Sequence, residues 1–200
     1  MIGRAVEGEI VEQDWIDRIA EPLQQGIQAA LKRAPAIAKV LHGKFLGHPL
    51  HPALVPVPIG AWTCTLVLDI AGLGGGRRLH KGADASAKLG LAGALVATFA
   101  GLADWSTTRG AARRIGFVHG ALNMAIAGLY GASIASRAVG LRGIGIALST
   151  TGFGIAGASA WLGGELIYRY GVGVGVDACE QKTESQVPVP EAPIASAYGG

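Results

Sequence analysis

Four long apolar runs, at residues 53–73, 86–103, 115–135 and 143–164, govern what this chain can fold into. The first holds one charged residue, Asp69, near its end; the second holds only Lys88; the last two hold none. A helix rises about 1.5 Å per residue, so crossing a hydrocarbon core of about 30 Å takes about 20 residues. All four runs meet that length, the second with least to spare. A helix that is apolar on every side can also lie buried in a soluble core. Four in succession would leave no polar face for water, so four membrane-spanning helices are expected.

Composition agrees with this. Apolar residues make up 50% of the chain and charged residues 16%, and a mean hydropathy of +0.39 argues against disorder despite 32 glycines. The net charge of +3 does not point to nucleic acid. Its basic residues flank the apolar runs, a placement that suits anionic headgroups and sets topology. Cys64 and Cys179 lie in an apolar run and in the tail, with no metal or redox spacing, so no disulfide between them is expected. The first 40 residues lack the compact apolar core of a signal peptide.

The connections are short, which favours antiparallel neighbours: an all-α, up-down-up-down four-helix transmembrane bundle. Three segments are expected. Residues 1–44 are basic and amphipathic, 45–176 form the four-helix domain, and 177–200, with Pro188, Pro190 and Pro193, read as a disordered tail. In the first segment Ile16, Ile19, Leu23, Ile27 and Leu31 recur every three or four residues, as on one face of an amphipathic helix weakened by Pro22 and Gly26. With Lys32, Arg33, Lys39 and Lys44 following, that helix suits a membrane surface or, equally, another protein. Lys and Arg are more numerous on the side holding the N-terminal flank and the second loop, so both termini are expected in the cytoplasm, on a bacterial inner membrane. Small residues spaced by four, Gly93-Ala97-Gly101 and Gly152-Ala156-Ala160-Gly164, are expected to bring helices two and four close to their neighbours.

Polar residues collect at the ends of these runs. His48 and His51 begin the first, Asp104 and Trp105 end the second, His119 and Asn123 begin the third, and Glu165 ends the fourth. In an up-down bundle all of these share one membrane face. Prolines 49, 52, 56 and 58 crowd the first helix, predicting a start near Pro52 and a kink near Pro56 that frees carbonyls close to His51. There is also an internal echo. His51-Pro-Ala53-Leu54 matches His119-Gly-Ala121-Leu122 at an offset of 68, which also aligns Gly60 with Gly128, Trp62 with Tyr130 and Asp69 with Arg137. Two hairpins related by an axis along the membrane normal would make His51 and His119 facing mates, and would put an Asp69–Arg137 charge pair at the opposite end.

The string Leu46-Gly-His48-Pro-Leu-His51-Pro-Ala-Leu, with Pro58-Ile-Gly-Ala-Trp62, Gly101-Leu-Ala-Asp104-Trp105, His119-Gly-Ala-Leu-Asn123 and Leu162-Gly-Gly-Glu165-Leu, resembles the bacterial membrane family catalogued as domain of unknown function 2231. The resemblance covers residues 41–176 and implies a four-helix membrane domain without an established activity. Some members of that family carry a Rieske iron–sulfur module, which needs two Cys and two His ligands. After Glu165 this chain has only Cys179 and no histidine. Any electron-transfer partner would therefore be a separate protein.

Four functions fit these residues. The first is a redox-linked module holding b-type haem between His51 and His119, with His48 and Asn123 nearby and Lys44, Arg113 or Arg114 facing the propionates. The second is a metal-ion site drawn from His48, His51, His119, Asp104 and Glu165. The third is a transporter or proton relay of small solutes, and the fourth an unliganded scaffold or assembly partner, including self-assembly into a homo-oligomer. No catalytic activity of its own is expected. A nucleophile elbow, P-loop and dinucleotide fingerprint are all missing from the sequence, and the Gly171-Val-Gly173-Val-Gly175 stretch follows a helix rather than a strand.

Overall fold

The computed structural model describes residues 2–173, so the segment read as a tail, residues 177–200, lies outside the described residues. The described chain is helical with no strand among its residues: α1 (Ile2–Val11), α2 (Trp15–Arg33), α3 (Pro35–Leu41), α4 (Leu50–Leu54), α5 (Pro56–Ala71), α6 (Arg77–Trp105), α7 (Gly110–Ala138) and α8 (Arg142–Tyr168). Four spans are long and apolar enough to cross a bilayer: Leu50–Ala71, and α6, α7 and α8, of 22, 29, 29 and 27 residues. The last three outrun the apolar runs because backbone hydrogen bonding does not stop where side chains turn polar. The first turns of α6, with Arg77, Arg78, Lys81 and Asp84, are helical too.

The first span is interrupted where its prolines require. It begins at Leu50, two residues before the expected start, and its helical pattern breaks at Val55, although Val55 keeps helical dihedrals (φ −53°, ψ −36°). Pro56 and Pro58 carry no N–H, so the carbonyls of Pro52 and Leu54 lose their donors four residues on.

The helices form a ring in which α6 touches α5 and α7, and α8 touches α7 and α5. The first span (α4 with α5) and α7 therefore lie diagonally and meet through side chains across the centre. They meet at three levels. His51 lies beside His119, with ring centroids 6.5 Å apart. Trp62 stacks on Tyr130 at 4.2 Å and 11°. Asp69 pairs with Arg137. Each pair is separated by the offset of 68 found in the sequence, so the echo is a structural repeat.

The other diagonal repeats as well. Ala83, Ala87, Gly90, Ala94, Ala97 and Gly101 of α6 match Gly145, Ser149, Gly152, Ala156, Ser159 and Gly163 of α8, 62 positions apart throughout (83 and 145, 101 and 163). All twelve are buried or half-buried, and all are small. Their steps alternate four and three, the spacing that holds a stripe on one face of a helix with 3.6 residues per turn. The expected stripe on the fourth helix used steps of four only and drifts off that face. Ala160 is exposed, and the inward positions are Ser159 and Gly163.

Small side chains on α6 and α8 give the large ones on α5 and α7 their room. A Cβ on Gly90 would lie 2.3 Å from the Trp62 indole, and one on Gly152 would lie 3.1 Å from the Tyr130 ring. The core at this level is Trp62, Ala87, Ile126 and Tyr130.

The N-terminal segment is three helices rather than one, and its packed face differs from the expected one. α2 runs through Pro22 and buries Ile16, Ala20 and Gln24, spaced by four. Ile19 and Leu23 are 51% and 46% exposed. Ile16 and Ala20 pack with Trp105 at the end of α6, so the register is chosen by what the bundle end offers rather than by the most apolar stripe. Gln24 donates to the carbonyls of Trp105 (2.7 Å) and Thr108 (3.1 Å), supplying donors that a helix C-terminus lacks.

Candidate functional site

The paired imidazoles sit where α4 and the first third of α7 approach the last third of α6 and α8. His51 Nδ1 lies 2.8 Å from the Ala97 carbonyl. His119 Nδ1 lies 2.9 Å from the Ser159 carbonyl and 3.0 Å from the Ser159 hydroxyl. Ala97 and Ser159 are equivalent positions of the repeat, so the two hydrogen bonds are copies of one device. A carbonyl only accepts, so Nδ1 of each ring carries the hydrogen. In its neutral form each ring then presents Nε2 as a lone pair. Metal-ligating histidines are held in this way, by a main-chain carbonyl on the far nitrogen.

Glycine makes the placement possible. A Cβ on Gly101 would lie 2.9 Å from His51 Nδ1, and one on Gly163 would lie 3.1 Å from His119 Cε1. The ring planes are at 87°, edge to face. The two mates differ in one respect. Asn123 Nδ2 donates to His119 Nε2 at 3.1 Å and to the His119 carbonyl at 2.9 Å, whereas Val55, at the equivalent position below His51, offers no such donor.

The five-residue metal set does not assemble. His48 is exposed, its Nδ1 3.1 Å from the carbonyl of its neighbour Pro49. Asp104 turns to His42, at 3.2 Å, and Glu165 is half-buried in the last turn of α8. Among the described residues no three His, Cys, Asp or Glu side chains converge to hold a metal ion.

His42 and Ser159 are functional candidates that the sequence reading passed over. His42 sits in a stretch without repeat or motif. Ser159 was legible, had the echo been carried into helices two and four at its shorter offset.

The basic residues expected to face propionates are largely taken. Arg113 pairs with Asp17 (3.2 Å) and Glu21, and Arg114 with Asp14 (2.5 Å) and Asp17 (2.7 Å). Arg169 and Tyr170 both reach the buried Glu7, the phenol at 2.7 Å. Burial, then the bond to Glu7, hold the Tyr170 hydroxyl above the ordinary phenol range. Lys44 is exposed. α1 and α2 thus close over the bundle end about two turns beyond the imidazoles.

At the opposite end Arg137 is saturated. It donates to both Asp69 oxygens (2.7 and 2.5 Å), to Asp84 (3.3 Å), and to the hydroxyls of Ser133 (3.1 Å) and Ser149 (2.9 Å). Arg142 completes the group by donating to Asp84 at 2.6 Å. This is the charge pair expected from the echo, enlarged by one Asp and one Arg.

No curated protein and no solved structure matches the chain. A family model described as "Predicted membrane protein (DUF2231)" matches residues 47–176, from just before the first histidine pair to just beyond α8. An integral membrane domain with four apolar spans, containing His48, His51, Asp104, His119, Asn123 and Glu165 within those bounds, the chain belongs to that family.

Proposed function

We propose that the chain is a redox-linked membrane module in which His51 and His119 bind one b-type haem at a membrane face. One observation carries this: the two rings come from diagonal helices to a centroid separation of 6.5 Å, each with Nδ1 committed to a main-chain carbonyl. A metal bonded to two imidazoles needs their nitrogens about 4 Å apart, and ring centroids stand a little further back. Haem fits this donor set better than a bare ion. A protein site for a bare ion takes three or four side-chain ligands, whereas among the described residues two imidazoles meet here, the set that His51 and His119 would offer to a haem iron. When bound, haem supplies one-electron transfer. The protein fixes both tautomers through Ala97 and Ser159, and Asn123 would have to release His119 Nε2.

The sequence of levels along the helices supports the up-down arrangement this requires, and the Lys/Arg bias supports cytoplasmic termini in the inner membrane. A separate redox protein would exchange the electron. The test is an optical spectrum of the solubilised protein, oxidised and reduced, as purified and after adding haem. A Soret band lost in both His51→Ala and His119→Ala but kept in His48→Ala is expected. A wild-type protein with no Soret band and no haem uptake overturns the proposal.

One observation favours a second reading, an unliganded scaffold. The Asn123 bond and the edge-to-face packing already use the rings as core material. In that case both alanine variants leave function unchanged and lower only stability.

A further inference from the structure

The charges of the N-terminal segment are sorted along the chain. Acidic residues crowd its first part, Glu7, Glu9, Glu12, Asp14, Asp17 and Glu21, and none follows until Asp69. Four of these carboxylates are spent on bundle arginines or on Tyr170. The second part carries Lys32, Arg33, Lys39 and Lys44, all exposed. None of these four lies within ion-pair distance of a carboxylate among the described residues.

The same stretch exposes large apolar side chains: Ile37 at 59%, Val40 at 51%, Phe45 at 66% and Leu46 at 40%. In water this is unfavourable, since each such side chain keeps apolar surface in contact with solvent. Position decides what covers them. Leu50 opens the first membrane span, and the four residues back to Leu46 or five back to Phe45 reach at most about 14–18 Å. Phe45 and Leu46 are therefore tied to the bilayer boundary.

We propose that residues 32–46 are an interfacial anchor for anionic phospholipids, with Ile37, Val40, Phe45 and Leu46 in the acyl boundary and the four cations on headgroup phosphates. An apolar face edged by Lys and Arg is the composition of helices that lie in the headgroup layer, and unpaired cations next to a span attract anionic lipid. The segment thus has two attachments, its acidic part to the bundle and its basic part to the membrane.

Hydrogen exchange on the full chain tests this, in lipid discs of phosphatidylcholine alone and in discs containing phosphatidylglycerol, at low salt. Exchange in residues 32–46 is expected to be at least about ten-fold slower with phosphatidylglycerol. That difference should vanish in the quadruple variant Lys32→Gln, Arg33→Gln, Lys39→Gln, Lys44→Gln, while α6 to α8 exchange as in the wild type. Equal exchange in the two discs overturns the proposal. So does slow exchange produced by inorganic phosphate alone, which would mean a soluble-anion site. Equal protection already present in a detergent with an uncharged head also overturns it, since no anionic headgroup is there to hold the four cations.

Discussion

The two ends of the diagonal between the first span (α4 with α5) and α7 fill equivalent positions of one repeat in opposite ways. At one end the mates are identical imidazoles, each bonded to a neighbouring helix and only lightly to one another. At the other the mates are complementary, Asp69 and Arg137, and satisfy each other. A saturated pair has nothing left for a ligand and serves to hold the bundle. An imidazole with Nδ1 engaged still has Nε2 to offer, at His119 in exchange for its bond from Asn123. On the proposed reading, the repeat separates fastening from ligand binding along a single axis.

Breaking the fastened end should have the largest effect. Asp69 and Arg137 have side chains 1% and 2% exposed. Asp69→Asn leaves the guanidinium without its main countercharge, and removing one partner of a buried pair costs about 3–5 kcal/mol. Thermal unfolding in detergent should fall accordingly. The double variant Asp69→Leu, Arg137→Leu should be milder than Asp69→Asn, because it buries no lone charge. If the double variant were worse, the pair would be contributing net attraction instead of merely compensating its own desolvation.

The middle level compares the two hairpins directly. Gly90→Ala puts a methyl 2.3 Å from a rigid indole whose N–H already lacks an acceptor, so the helices must part. A loss of about 1–3 kcal/mol is expected in the same melt, the usual cost of overpacking. Gly152→Ala meets Tyr130 at 3.1 Å, and a shift of a few tenths of an ångström accommodates it at under about 1 kcal/mol. Equal losses would mean that the two rings are, after all, equally confined by the backbones facing them.

Much of this was legible because a bilayer leaves a chain few options. Four apolar runs dictated four spans, and Pro56 and Pro58 dictated the break before α5. The diagonal contacts were legible from His51/His119, Trp62/Tyr130 and Asp69/Arg137, since mates of a two-fold repeat meet at its axis. Two kinds of feature were hidden. The stretch from Asp69 to Ala83, helix ends and loop together, is six residues longer than that from Arg137 to Gly145, so α6 and α8 repeat at a different offset and Ser159 lost its signal. The partners of Asp104, Arg113 and Arg114 come from His42, Asp14, Asp17 and Glu21, which sit in a segment with no counterpart in the repeat. Spacing within one helix says which residues share a face, but not that Ile16 rather than Leu23 will find Trp105.

The smallest effect should come from loosening the cover over the imidazole end. Asp17 bridges Arg113 and Arg114 from α2 at 20% exposure, and pairs of this kind contribute about 0.2–1 kcal/mol and weaken with salt. Asp17→Asn should leave the melt of the bundle nearly unmoved while speeding amide exchange in α1 and α2, more at low salt than at high salt. The opposite end has Arg137 locked inside the bundle, so its exchange should respond neither to the variant nor to salt. Were exchange around Arg137 to rise together with that of α1 and α2, the two ends would be one cooperative unit. The N-terminal helices would then be part of the fastening rather than a cover laid over the imidazole end.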